Sequence, residues 1–326
     1  MKSRNSLLLL MIAAIAVIPA CATHRVAEQP AVVHANAHSG GSIVAFSQSG
    51  EVLASGGWEG EVRLWQASGN QQLSHWQAHT DSVNGIGFSA DDRHIITAGY
   101  DAVLAEWDVQ GRLLRKHATP SPITHMIVSN PAGRIVTGHA DGVVRLWQLA
   151  DLQLLDERQL HNGAVKAVAY SPVSRHYASS GTDGAVYTFL ETGTAQPLES
   201  PPVDSWTLAF SPDGQTLYGG GWFRLFRWDL PSASLTVLPT RHLGIIKSVQ
   251  YLDGRNELAT ISRQTDSAVY FLDPLSGEVR REFQQHDLCG AYIAVSADGR
   301  YLGTTSDDAS VRIWRLQQPV DTVNHH

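Results

Sequence analysis

Cysteine is nearly absent. The 326 residues hold two, Cys21 and Cys289, so at most one disulfide can form, and none if Cys21 is otherwise modified; the fold must then hold by packing. Basic charge is also short: 24 Lys and Arg stand against 31 Asp and Glu, a net of −7. That balance lacks the electrostatic footprint of a nucleic-acid binder. No basic amphipathic helix is present to hold an anionic membrane surface. Helical periodicity is sparse beyond residue 40, whereas short alternating stretches and glycine-rich turns recur. Short catalytic signatures are missing as well: there is no G-x-S-x-G elbow, H-E-x-x-H, C-x-x-C-H, P-loop or G-x-G-x-x-G. What is present is a 43% share of hydrophobic residues, enough to bury a core.

The N-terminus has its own pattern. Lys2 and Arg4 precede fourteen apolar residues, Leu7 to Ala20. A bilayer-crossing helix needs about 20, and Pro19 would break the last turn. A charged start, an apolar stretch and small residues at its end form an export signal. Ile18-Pro19-Ala20-Cys21 resembles the lipobox of bacterial lipoproteins. A branched aliphatic stands three places before the cysteine and a small residue one place before; Pro19 departs from the usual small residue between them. The resemblance implies cleavage after residue 20 and a lipid on Cys21, the chain's link to a membrane. Cys289 is then the remaining thiol. Ala22, being other than Asp, implies sorting to the outer membrane in a Gram-negative host. Cleavage leaves 306 residues with 22 basic against 31 acidic, a net of −9. Residues 22–37 read as a tether.

From residue 38 the chain repeats. Segments ending in an aromatic recur: GEVRLW to Trp65, AVLAEW to Trp107, GVVRLW to Trp147, GAVYTF to Phe189, FRLFRW to Trp228, SAVYFL with Phe271 and SVRIWR with Trp314. Their spacings of 39 to 43 residues are those of a propeller with one blade per repeat. Each unit reads as four strands; in the second these are Val83–Ser89, His94–Gly99, Ala102–Val109 and Leu113–Ala118. The turn after the first strand is FSADD there, with FSQSG, YSPVS, FSPDG and VSADG as equivalents. The glycine-rich YGGGWF at 218–223 reads as a tight blade turn.

The units resemble WD repeats, seven over residues 38–316, with 317–326 a tail. The fold expected is an all-β, seven-bladed propeller of four-stranded antiparallel blades. The family places a buried polar tetrad in each blade: a His before the first strand, Ser or Thr on the second, Asp in the next turn, Trp on the third. Blade two matches with His79, Thr97, Asp101 and Trp107, and blade seven with His286, Thr304, Asp308 and Trp314. Blade four has His161, Ser179 and Asp183 with Phe189 for Trp. Blade three keeps Asp141 and Trp147 without a His. Blades one, five and six have Glu59, Trp222 and Thr265 at the Asp position. Buried imidazole and indole N–H groups need partners, so these pairs read as structural and not as catalytic dyads. Fifteen histidines offer no metal pattern: His34 and His38 have no helix beneath them, and His325 and His326 end the tail. No metal and no cofactor is expected.

The resemblance implies binding on the face that carries the turn between strands two and three. Trp58 and Tyr100 precede the turn acid in adjacent blades and are expected side by side on that rim. Asn84, Lys166, Trp206 and Lys247 lie four residues before the strand-one aromatic. Trp58, Trp206 and Trp222 fall outside the structural tryptophan register. Aromatics with a few charges on one rim compose a protein-binding hot spot. Ring closure needs the edge of the last blade covered, and Val32 and Val33 are expected beside residues 310–315. The reading is a non-catalytic, lipid-anchored periplasmic docking platform for a protein partner. A propeller enzyme, lactonase-like or quinone-dependent, is the alternative; carboxylates or cofactor ligands converging on the central funnel would favour it.

Overall fold

The computed structural model describes residues 28–41, 43–264 and 267–317. Its 28 strands form seven four-stranded antiparallel sheets. Blade one comprises Ile43–Phe46, Val52–Gly56, Glu61–Gln66 and Gln72–Gln77; blade two comprises Val83–Phe88, His94–Gly99, Val103–Asp108 and Leu113–Ala118. Blades three to six begin at Ile123, Val165, Thr207 and Ile245. Three strand limits in blade two differ from the sequence reading by one residue, at Ser89, Ala102 and Val109. Ala102 takes φ 63° in the turn and Ser89 uses its hydroxyl to accept the His94 amide, so both fall outside the strands.

Blade seven draws on both ends of the chain. Gly290–Val295, Tyr301–Ser306 and Val311–Arg315 are joined by Val32–His34. Val32 lies opposite Ile313, Val33 opposite Arg312 and His34 opposite Val311. The propeller therefore includes residues 32–34, which precede the repeat array at 38. His34 stacks on Trp65 at 4.1 Å and fastens the strand to blade one.

The core lies between the blades. Seven apolar clusters each join two neighbours, and the cluster of Val44, Leu53 and Trp65 with Tyr301, Val311 and Ile313 closes the ring between blades one and seven. A twisted sheet buries both faces this way, so the strand-two and strand-three residues are apolar in runs, as in Ile95 and Ile96. The YGGGWF segment is not a turn up to Gly221, because strand Thr216–Gly221 contains all three glycines. A Cβ at Gly219 would meet Ser205 and Trp228, and one at Gly220 would meet Ile246 of the next blade. Close approach, not chain reversal, requires glycine there.

The first strands of all seven blades line a central cavity of about 740 Å³. The start of each first strand pairs with the end of the second, as Val83 does with Gly99 and Ile43 with Gly56. Hence the strand-one starts and the strand-two-to-three turns share one face, here the upper face. The FSADD-type turns lie on the lower face. There Asp92 accepts the Gln48 and Ser49 amides at 2.6 and 2.9 Å, tying blade two to blade one.

Candidate docking face

The polar tetrads stiffen the blades below this face. In blade two, His79 Nδ1 lies 2.9 Å from Asp101 and Nε2 2.7 Å from Thr97 Oγ1, while the Trp107 indole donates to that hydroxyl at 2.9 Å. A neutral imidazole satisfies every atom: Nδ1–H donates to the carboxylate, Nε2 accepts the hydroxyl proton, and the hydroxyl oxygen accepts from tryptophan. Burial alone would raise Asp101, but hydrogen bonds from His79 and the Thr80 amide outweigh it and hold its pKa down. Blade seven repeats the chain, with His286 at 3.2 Å from Asp308 and 2.8 Å from Thr304, and Trp314 at 3.0 Å from Thr304. In blade four His161 joins Asp183 and Ser179 at 3.0 and 2.9 Å, and Phe189 asks for no acceptor.

Two blades depart from the sequence reading. Blade one has a complete network despite Glu59: His38 contacts Glu61 at 2.9 Å and Ser55 at 2.7 Å, and Trp65 donates to Ser55 at 2.7 Å. Glutamate is one methylene longer than aspartate, so it reaches the imidazole from two residues further on. Blade three does have a histidine, His139, on strand two instead of before strand one. It contacts Thr137 Oγ1 at 2.7 Å and the Ser121 carbonyl at 3.0 Å, and Trp147 donates to Thr137 at 2.8 Å. The signal lay in the glycine at that register. A Cβ at Gly57, Gly99 or Gly181 would collide with the blade's own histidine; at 139 the histidine itself fills that space. Burial pushes His139 down to about 4. Freed from the imidazole, Asp141 faces Arg145 at 3.4 Å.

The face itself is built on bulges. Strand pairing skips Asn84, Thr124, Lys166 and Lys247 in blades two, three, four and six, and Ala291 and Tyr292 in blade seven. A bulge re-aims the extra side chain. Lys166, Trp206 and Lys247 converge: Lys166 Nζ stands 3.7 Å and Lys247 Nζ 5.0 Å from the Trp206 ring centre. Lys166 also pairs with Asp204 at 2.7 Å. Asn84 belongs to the scaffold, since its amide donates to the Ile123 carbonyl of the next blade at 2.9 Å. Trp58 and Tyr100 are 48% and 44% exposed, but Trp58 turns from Tyr100 toward blade seven. Its ring covers Gly40 and carries Arg263 at 5.7 Å.

Blade five adds Phe223, which the sequence reading did not single out, beside Trp222, which it did. The Trp222–Phe223 turn is bridged to the entry of blade six, Trp222 opposite Ile245 and the Phe223 amide on the Gly244 carbonyl at 3.0 Å. Phe223 is 49% exposed and sits at φ 55°, where blades one, three and four have Gly60, Gly142 and Gly184. With exposed Leu243 and Leu288 at the entries of blades six and seven, an apolar arc runs over blades five, six, seven, one and two. Among the described residues no group of three or more His, Cys, Asp or Glu side chains is placed to hold a metal ion. Among the described residues the funnel mouth holds Lys166 and Lys247, with Asp204 bound to Lys166.

The model of the WD domain, G-beta repeat, matches residues 32–66, 70–108, 110–148, 153–189 and 277–315. The chain belongs to the WD40 family. Similar WD40 relatives include human striatin-4, 23% identical over 274 residues, covering 74% of this chain and 36% of that protein. Drosophila melanogaster actin-interacting protein 1 is 28% identical over 192 residues, covering 54% and 31%. Arabidopsis thaliana periodic tryptophan protein 2 is 26% identical over 183 residues, covering 54% and 20%. The chain thus spans between a fifth and about a third of these relatives' length. The WD40 model leaves 190–276 unmatched, yet blades five and six are complete sheets. There the tetrad is rebuilt: Tyr218 takes the Thr place, and Trp228 donates to the Glu199 carbonyl at 2.8 Å. In blade six His242 keeps Thr260 at 2.8 Å, and the ladder puts Leu272, not Phe271, at the tryptophan place. Thr265 lies outside the described residues, as do residues 1–20 and Cys21.

Proposed function

We propose that this WD40 protein is a non-catalytic docking platform, held through a lipid on Cys21 at the periplasmic side of the outer membrane. Its upper face binds a protein partner. The observation that carries the docking role is the exposed apolar arc that begins at Trp222 and Phe223. A bulky residue in the left-handed region costs on the order of 1–3 kcal/mol; blades one, three and four have glycine at this position, and blades two and seven have nothing larger than Ala102 and Ala309. An exposed aromatic kept there at a cost to folding is retained for contact with something else. Striatin-4 and actin-interacting protein 1 support the platform reading as relatives, the latter being named for an interaction. The anchor rests on Ile18, Ala20 and Cys21 and on the tether after them.

The anchor is tested by Cys21→Ser. Each buried methylene of an attached lipid adds about 0.8 kcal/mol of membrane affinity, and more than one chain makes the attachment stable. The variant is expected in the soluble fraction or as unprocessed precursor, with wild type in the membrane fraction. Wild type found soluble after cell disruption, or a variant that sediments as wild type does, overturns the anchor.

A further inference from the structure

We infer that the mouth of the central channel is a carboxylate subsite, and that the partner docked on the upper face inserts an Asp or Glu side chain there from an acidic, apolar-flanked segment. This rests on the docking reading and names the chemistry of what docks. Blades four, five and six present Lys166, Trp206 and Lys247 from one register position, and the bulges turn both lysines toward the indole. Lys247 lies over two rings, Trp206 at 5.0 Å and Tyr292 at 5.3 Å, and forms no ion pair among the described residues. Lys166 has Asp204. Among the described residues, two ammoniums against one carboxylate leave one positive charge at the mouth of a protein whose net charge is −7.

The other groups facing this point do not cancel that charge. His125 is neutral: burial first and Lys247 second push it down to about 4, and its Nδ1 accepts the Val168 amide at 3.3 Å. Arg263 is engaged by Asp307 at 3.1 Å. The Trp206 indole N–H is buried and has no hydrogen-bond partner among the described residues, an unmet donor beside the two ammoniums. Aromatic rings hold a lysine in place without neutralising it, so Lys247 is positioned and still available to an anion. A surplus of one charge matches a single carboxylate better than a dianionic phosphate. The surroundings describe the rest of the segment. Leu243 and Leu288 lie at the entries of blades six and seven, and Trp222 and Phe223 stand beside the entry of blade six. Apolar side chains flanking the acid would cover these.

The test pans a random dodecapeptide library on the detergent-solubilised full chain at low and at physiological salt. Enriched peptides are expected to carry Asp or Glu next to Leu, Phe or Trp. Replacing that acid by its amide should weaken binding tenfold or more. Lys247→Gln should do the same without lowering the melting temperature, because Lys247 forms no hydrogen bond or ion pair among the described residues. Lys116→Gln, on the exposed outer strand of blade two, should change nothing. Enrichment of neutral, basic or phosphate-dependent peptides, absence of acidic ones, or equal binding to Lys247→Gln overturns the subsite. Trp222→Ala separates the two claims. If it abolishes capture of the native crosslinked partner while no acidic peptide is enriched, the docking face stands and the carboxylate subsite falls. If capture is also unaffected, both fall.

Discussion

Trp58 and Trp107 occupy opposite energetic roles in neighbouring blades. Trp107 is buried, donates to Thr97 and lies 6.0 Å from the Trp76 ring. Removing its side chain deletes a tetrad member and opens a cavity, a loss of roughly 3–5 kcal/mol. Trp58 is half exposed over Gly40 and fills no closed space. Trp58→Ala is therefore expected to melt close to wild type while weakening partner capture about thirtyfold, roughly 2 kcal/mol for a hot-spot aromatic. Trp107→Ala is expected to melt far lower. Melting curves and crosslinked capture for both variants decide this; a Trp58→Ala protein as unstable as Trp107→Ala would place the rim aromatics in the core. At this scale the tetrads of blades two, four and seven could be read from spacing once the resemblance to WD repeats supplied the pattern. Glu61 and His139 could not, because a longer side chain or a different strand brings the same group to the same point in space.

The strand Val32–His34 is three residues long, too short to hold by itself. It stays because three things meet on it: the ladder to Val311–Arg315, the Ala31 amide on the Ile313 carbonyl at 2.8 Å, and the His34 stack on Trp65. Without it the last blade exposes the edge of Val311–Arg315 to water and to other chains. Deleting residues 28–36 is expected to lower the melting temperature well beyond a deletion of equal length in a surface loop and to promote association. An unchanged melting curve would show that the ring closes without this strand. The same scale explains the bulges. A period-two pattern places Lys166 and Lys247 on strand one, but only the register skip directs them at Trp206.

Across the whole molecule, burial holds His34, His38, His125, His139, His161 and His286 below the ordinary imidazole value. Their folded forms resist protonation, whereas the unfolded chain takes up protons near pH 6.5. Folding stability is thus intact above about 6.5 and falls as the pH drops toward 4, the direction linkage requires when the unfolded state binds more protons. Glu61, Asp101, Asp183 and Asp308 are held below the carboxylate range. Their contribution is present above about pH 4 and is lost at still lower pH. The melting temperature is expected to decline steadily between pH 7 and 4.5; a flat profile over that interval would mean that these imidazoles are solvated. The sequence by itself determined the repeat, the number of blades and the three tetrads in register, because a propeller blade is a local unit whose spacing survives in the chain. Only the tertiary structure decided which side chains meet across blades. The lysines on Trp206, the arc through Phe223 and the turning of Trp58 toward blade seven depend on bulges and on packing between units, and neither leaves a period in the sequence.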